Sequence, residues 1–72
     1  MIELNLSGLN CPLPVLKTKK FLTNLDSGES VKIITTDPAS IKDLQDFCDK
    51  TGNILLSQSQ EDQLITTIIK RR

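Results

Sequence analysis

Asn10-Cys11-Pro12-Leu13-Pro14 sets one cysteine directly ahead of two prolines, at the start of a stretch with helical spacing. Proline is tolerated in the first turn of a helix, where no amide donor is needed and its fixed φ suits the geometry. The residue before a proline is driven toward extended backbone. The pattern predicts Cys11 as the N-cap, followed by Pro12, Leu13 and Pro14 as the first three helical residues. The prolines remove early donors, which leaves the N–H groups of Leu13 and Val15 to face the sulfur. A thiolate there sits at the positive end of the helix dipole, roughly +0.5 of an elementary charge. Its pKa is expected to fall, and the thiolate is the nucleophilic form of cysteine. A free cysteine is often only a small buried hydrophobe. Ser, Thr, Asp and Asn are the usual N-caps, however, and a thiol gives up capping strength, which points to a chemical use for the sulfur.

The residue types that are missing narrow that chemistry. The chain has no histidine, so no imidazole serves Cys11 as general base and a papain-like Cys-His hydrolase is excluded. Activation is left to the helix terminus and nearby lysines. Two cysteines without histidine cannot complete a four-ligand structural zinc site within one chain. No metal is expected, and no cofactor either, since no Gly-rich phosphate loop is present. Phe21 and Phe47 fall on helical apolar faces and read as core, whereas single-strand binders need stacking platforms in a basic groove. Direct nucleic-acid binding is therefore not expected. Cys48 follows Leu44 by one turn and reads as a buried hydrophobe, because no Cys-x-x-Cys pair marks a resolving thiol.

Gly8-Leu9-Asn10-Cys11-Pro12-Leu13-Pro14-Val15 resembles the Cys-Pro-x-Pro signature of the TusA/SirA-like family of small sulfur-carrier proteins. The resemblance continues through Asp26-Ser27-Gly28-Glu29, the Asp37-Pro38-Ala39 turn and Phe47-Cys48, and so covers nearly the whole chain. It implies that Cys11 accepts sulfane sulfur as a persulfide and hands it to a partner. It also implies a cysteine desulfurase or another sulfane-sulfur donor upstream and a sulfur-acceptor protein downstream, in tRNA 2-thiouridine synthesis or related sulfur metabolism. Asp37 matches an acidic position implicated in partner contact, although N-capping the second helix explains it equally well. Lys19 falls where the family carries a basic residue on the first helix, with the charge kept and bidentate geometry lost. Leu13 departs from the Glu that carriers acting in tRNA thiolation often place between the prolines, which leaves the partner set open.

The 72 residues read as a single domain spanning 1–72, with six elements in the order βαβαββ. Ile2 to Leu6 alternates apolar and polar, as a half-buried strand does. A helix is expected from Pro12 to about Leu25, with Val15, Leu16, Phe21, Leu22 and Leu25 on its apolar face. Val31 to Thr35 is β-branched at almost every position and reads as a strand buried on both faces. Asp37-Pro38 opens a second helix with Ile41, Leu44, Phe47 and Cys48 inward, and Gly52 closes it. Ile54 to Leu56 and Leu64 to Ile69 read as strands, with the polar run Ser57 to Gln63 holding their turn and the residues after Ile69 fraying. The expected fold is a two-layer α/β sandwich, a four-stranded mixed sheet with both helices on one face.

Nine basic and nine acidic residues cancel, but unevenly. Lys17, Lys19 and Lys20 cluster on the helix that Cys11 begins, where a basic surround favours an anionic persulfide and steers an acidic donor, so partner docking is assigned to them and to Asp37. Asp43, Asp46 and Asp49 recur every three residues on the second helix and read as a solvated face. No charged leader and no run of ~20 apolar residues is seen, so membrane insertion is not expected and a cytoplasmic, reducing location is. The reading is a sulfurtransferase-type carrier rather than a stand-alone enzyme. A thiol-disulfide redox protein using Cys11 and Cys48, and a regulatory interaction module with no sulfur turnover, are the alternatives. The first needs one essential thiol, the second two and the third none.

Overall fold

A computed structural model describes residues 2–72. Its elements are β1 (Ile2–Asn5), α1 (Leu13–Leu22), β2 (Ser30–Thr35), α2 (Ala39–Thr51), β3 (Ile54–Glu61) and β4 (Leu64–Lys70). They form one sheet in the order β1-β2-β4-β3, with β1 parallel to β2 and the other neighbours antiparallel. The sheet is mixed because each helix returns the chain in the direction it left, whereas the β3–β4 hairpin reverses it.

β2 alternates buried and half-buried residues, so one of its faces is covered and the other is not. The expectation of burial on both faces fails because both helices lie on the same side of the sheet. Val31, Ile33 and Ile69 project from that covered face and meet Leu22, Leu44, Phe47 and Cys48 of the helices, with Leu6 and Leu25 closing the ends. Burial of each large aliphatic side chain contributes about 1.5–3 kcal/mol, and this one layer is the core of the fold.

α1 buries Pro14, Thr18 and Leu22, a stripe of spacing four, while Leu16 is 54% exposed and Val15 and Phe21 are only half-buried. Thr18 is fully buried although polar, so an apolar pattern does not show it, and its hydroxyl has no hydrogen-bond partner among the described residues. The helix also stops at Leu22, three residues earlier than expected. Thr23 to Leu25 tighten into turns in which Asn24 and Leu25 donate to Phe21 and Leu22, and Leu25 still reaches the core. On α2, Ser40 takes a buried place that Ile41 only half fills, its hydroxyl bonded to Thr35 at 2.6 Å.

β3 runs to Glu61, so most of the polar segment expected as a turn is strand. An edge strand whose contacts with α2 are made partly by a polar residue, Gln58, carries little apolar alternation to reveal it. Gln58 anchors it, donating to Ile41 O and to the Thr67 hydroxyl and accepting from Gln45. The turn shrinks to Asp62-Gln63, with Asp62 at φ 56°, a conformation that Asp tolerates. The last residues are tied to their neighbours by hydrogen bonds. Arg71 N donates to Glu29 O, Arg71 O accepts from Gly28 N, and Arg72 N donates to Asn53 Oδ1. Among the described residues no helix is long and apolar enough to cross a membrane.

Candidate functional site: the Cys11 turn and the interhelical groove

Cys11 lies in the turn between β1 and α1, exposed and unpaired with Cys48. The helix begins one residue later than the prolines suggest, with Pro12 as N-cap, Leu13 first and Pro14 second. Cys11 is therefore not the N-cap. The Cys11–Pro12 peptide is cis, and Leu13 N donates to Asn10 O at 2.9 Å, closing a turn around the cysteine. That bond uses the Leu13 amide that was expected to face the sulfur. Pro14 is buried under the first turn, whereas Pro12 is exposed beside the thiol.

A carboxylate from the second βα connection fixes this turn in space. Asp37 Oδ2 accepts from Cys11 N at 2.7 Å, and its Oδ1 accepts from Ala39 N at 3.1 Å. One side chain thus satisfies an early donor of α2, whose N-cap is Pro38, and holds the backbone of the cysteine 26 residues away. Capping and site-building are one role here. Hydrogen bonds to a charged group are about twice as strong as neutral ones, which suits a loop that must present one atom.

The thiol itself is pushed above its ordinary pKa, against expectation. Its hydrogen bond to the Asp43 carboxylate is the largest cause, followed by desolvation and by the negative charges of Asp43 and Asp37. A carboxylate that accepts the S–H bond favours the protonated form, and two anions near the sulfur disfavour a third. The shift runs opposite to that expected from the helix terminus because α2 brings Asp43 to the cysteine while the Leu13 amide is spent on Asn10 O.

Cys11 heads a groove of about 450 Å³ between α1 and α2. Val15, Leu16 and Phe47 give it an apolar lining, and Asp43, Asp46, Lys19 and Lys50 add charge along its length. The aspartate row is thus divided. Asp43 and Asp46 line the groove, and only Asp49 is left to an exposed face, where its charge adds to burial in raising the Cys48 thiol. Of the three clustered lysines, Lys19 lines the groove, while Lys17 and Lys20 are exposed on α1 outside it. Sequence reasoning missed Asp43 and Lys50 as site residues. Spacing along α2 was the available signal, but nothing local indicates which of its faces meets a turn 32 positions earlier. Cys48 is 4% exposed, one of the core residues under α2.

Residues 2–71 match the family described as Sulfurtransferase TusA. A sulfur carrier protein TusA from Allochromatium vinosum is 45% identical over 69 residues, covering 96% of this chain and 91% of the relative. A putative sulfur carrier protein from Neisseria meningitidis is 35% identical, covering 96% and 93%. Among solved structures, the SirA-like protein from Desulfitobacterium hafniense superposes with a TM-score of 0.85 at 28% identity, over 97% of this chain and 96% of that one. The turn that presents a single free cysteine thus sits in a fold and a sequence of one kind, and the chain belongs to the TusA/SirA-like sulfurtransferase family.

Proposed function

We propose that this protein carries sulfur, holding one sulfane sulfur atom as a persulfide on Cys11. The observation that carries the reading is the contrast in access: Cys11 is exposed on a turn fixed by Asp37, and Cys48 is buried in the core. Loading is a sulfur transfer without net oxidation. The Cys11 sulfur attacks the outer sulfur of a donor persulfide, the new S–S bond forms as the donor's S–S bond breaks, and the donor leaves as a thiolate that takes up the thiol proton. Delivery repeats the exchange with an acceptor thiolate attacking the outer sulfur on Cys11. Attack in such exchanges depends on the thiolate fraction and on access, and the acids beside Cys11 lower the first while the exposed turn supplies the second.

The donor fits a cysteine desulfurase or another sulfane-sulfur protein, and the acceptor a cysteine protein of tRNA 2-thiouridine synthesis or related sulfur metabolism, in the cytoplasm. Support for this is the family and the names of its carriers. The neutral Leu13 between the prolines separates this chain from partners that need an acid there. For partner docking we assign Asp37, which holds the Cys11 amide, Lys19, which lines the groove, and Lys17 and Lys20, exposed on α1 outside it. A redox cycle through Cys48 is disfavoured by its burial.

The test is stoichiometric. The protein is incubated with glutathione persulfide, desalted, and mixed with a small acceptor thiol. One sulfane sulfur per chain should bind and then appear on the acceptor. Absence of loading, or release only as free sulfide with none on the acceptor, rejects the carrier reading.

A further inference from the structure

The groove at Cys11 does not end at Lys19. A second hollow of about 150 Å³ shares Lys19, Phe47 and Thr51 with it and is lined further along by Thr23, Arg71 and Arg72. The combined channel is graded in charge. Its cysteine end carries Asp43 and Asp46, and its far end gathers Lys19, Lys50, Arg71 and Arg72. Between them lie Val15, Leu16 and Phe47, with Leu16 more than half exposed.

The cations at the far end are held in place. Arg71 is paired through its backbone to Gly28 and Glu29, and its guanidinium donates to Leu25 O. Arg72 N is bonded to Asn53, and its side chain runs across Gly52, where an added Cβ would lie 3.2 Å from Arg72 Cδ and Nη1. Cations already ordered lose less freedom when an anion binds. The acids beside Cys11 oppose phosphate backbones, and a small free anion would leave the apolar stretch unused.

We propose that this channel docks an extended segment of the partner protein that carries its reacting cysteine, with apolar residues following it and a carboxylate side chain beyond them. The proposal rests on the carrier reading of Cys11 and adds the partner's chemistry to it. The spacing follows from geometry. Pro12 to Lys19 rises about 10 Å along α1 and Pro12 to Thr23 about 16 Å, at ~1.5 Å per residue. An extended segment advances ~3.3 Å per residue, so its acid falls about three to five residues from its cysteine.

Synthetic peptides test this directly. The probe is acetyl-Cys-Leu-Leu-Ser-Glu-amide, its cysteine carried as the mixed disulfide with thionitrobenzoate. Cys11 attacks the peptide sulfur, the thionitrobenzoate thiolate leaves and is read by absorbance, and the thiol proton goes to solvent. Comparison peptides replace Glu by Lys, replace both Leu by Ser, or move Glu next to the cysteine. At low ionic strength the probe should react about tenfold faster than its Lys counterpart, with the gap closing as salt rises. The Ser and moved-Glu peptides should fall between them. In the Lys19→Gln/Arg72→Gln variant the Glu and Lys peptides should react alike. Equal rates for all peptides on the parent protein, or a preference unchanged in that variant, overturn the proposal. Loading by glutathione persulfide is measured on the same samples. Equal peptide rates with normal loading reject the docking alone, and a peptide preference without loading rejects the carrier reading alone.

Discussion

The two cysteines show how position in this fold decides what one side chain does. Cys11 is in the first βα connection, where a turn with an amide fixed by Asp37 presents the sulfur to solvent at the head of a groove. Cys48 is on α2 against Leu44, Phe47 and the sheet, and packs as a small hydrophobe. Both thiols are pushed up in pKa, with different leading causes. Cys11 is raised chiefly by the Asp43 hydrogen bond, and Cys48 chiefly by loss of water. A raised pKa therefore does not by itself mark a thiol as inert. Access separates the pair, and the neighbouring acid then sets the reactivity of the accessible one.

The largest effect expected from this contrast is in labelling. Cys48 must await an opening of the core, and each ~1.4 kcal/mol of opening free energy slows its reaction tenfold. Iodoacetamide should modify Cys11 more than about 100-fold faster than Cys48 in the folded protein, with the ratio collapsing in denaturant. Comparable native rates, read by mass spectrometry of the digested chain, would break the comparison.

A change at Cys48 should act on stability. Cys48→Ser places a hydroxyl in the core without an assured partner and should cost about 1–3 kcal/mol. The parent should also lose stability as the pH rises above the ordinary cysteine range near ~8.5, because the unfolded chain then releases the Cys48 proton while the folded chain keeps it. Urea titrations of parent and Cys48→Ala across pH 7 to 10 check this sign. The variant should show the shallower decline after the separate, surface contribution of Cys11 is removed by Cys11→Ser in both.

At Cys11, Asp43→Asn removes the carboxylate that contributes most to raising the thiol. The alkylation profile should move to lower pH, so that the rate near neutrality rises several-fold while the high-pH plateau stays. A profile that moves to higher pH, or does not move, would show that the carboxylate does not hold the proton.

The smallest stability effect belongs to the lysines. Lys17→Glu/Lys19→Glu/Lys20→Glu should change stability by no more than about 0.5 kcal/mol, since all three are exposed. It should nevertheless slow sulfur transfer from an acidic donor protein at low salt. Lys19→Glu alone should account for most of the slowing, because only Lys19 lines the groove. Equal transfer by the triple variant and the parent at low salt would remove any steering role.

Much of this arrangement is legible in the amino-acid sequence. The stripe Leu44, Phe47 and Cys48 has helical spacing, and Gly52 after it is a left-handed C-cap at φ 80°, so α2 and the fate of Cys48 follow from local signals. The paired prolines marked the turn that presents Cys11. Long-range features were not legible. The thiol's partner Asp43 and the amide's partner Asp37 come from another element, and so the direction of the Cys11 pKa shift was misread from dipole arguments within α1. Arg71 and Arg72 line the same hollow as Lys19 because β4 returns through the middle of the sheet, which no local charge pattern encodes. The strand length of β3 was not legible because Ser57 to Glu61 lie on an edge and its half-buried position there is the polar Gln58, so no apolar period-two signal remains.

The central claim is that one thiol carries the sulfur and the other only holds the fold. Intact-mass measurement of the parent, Cys11→Ser and Cys48→Ser after incubation with glutathione persulfide, each first shown to be folded, tests it most directly. The account predicts one added sulfur atom on the parent and on Cys48→Ser, transferable to an acceptor thiol, and none on Cys11→Ser. Loss of transfer in folded Cys48→Ser, or a Cys11–Cys48 disulfide forming during turnover of the parent, would contradict it and point to a two-thiol redox cycle.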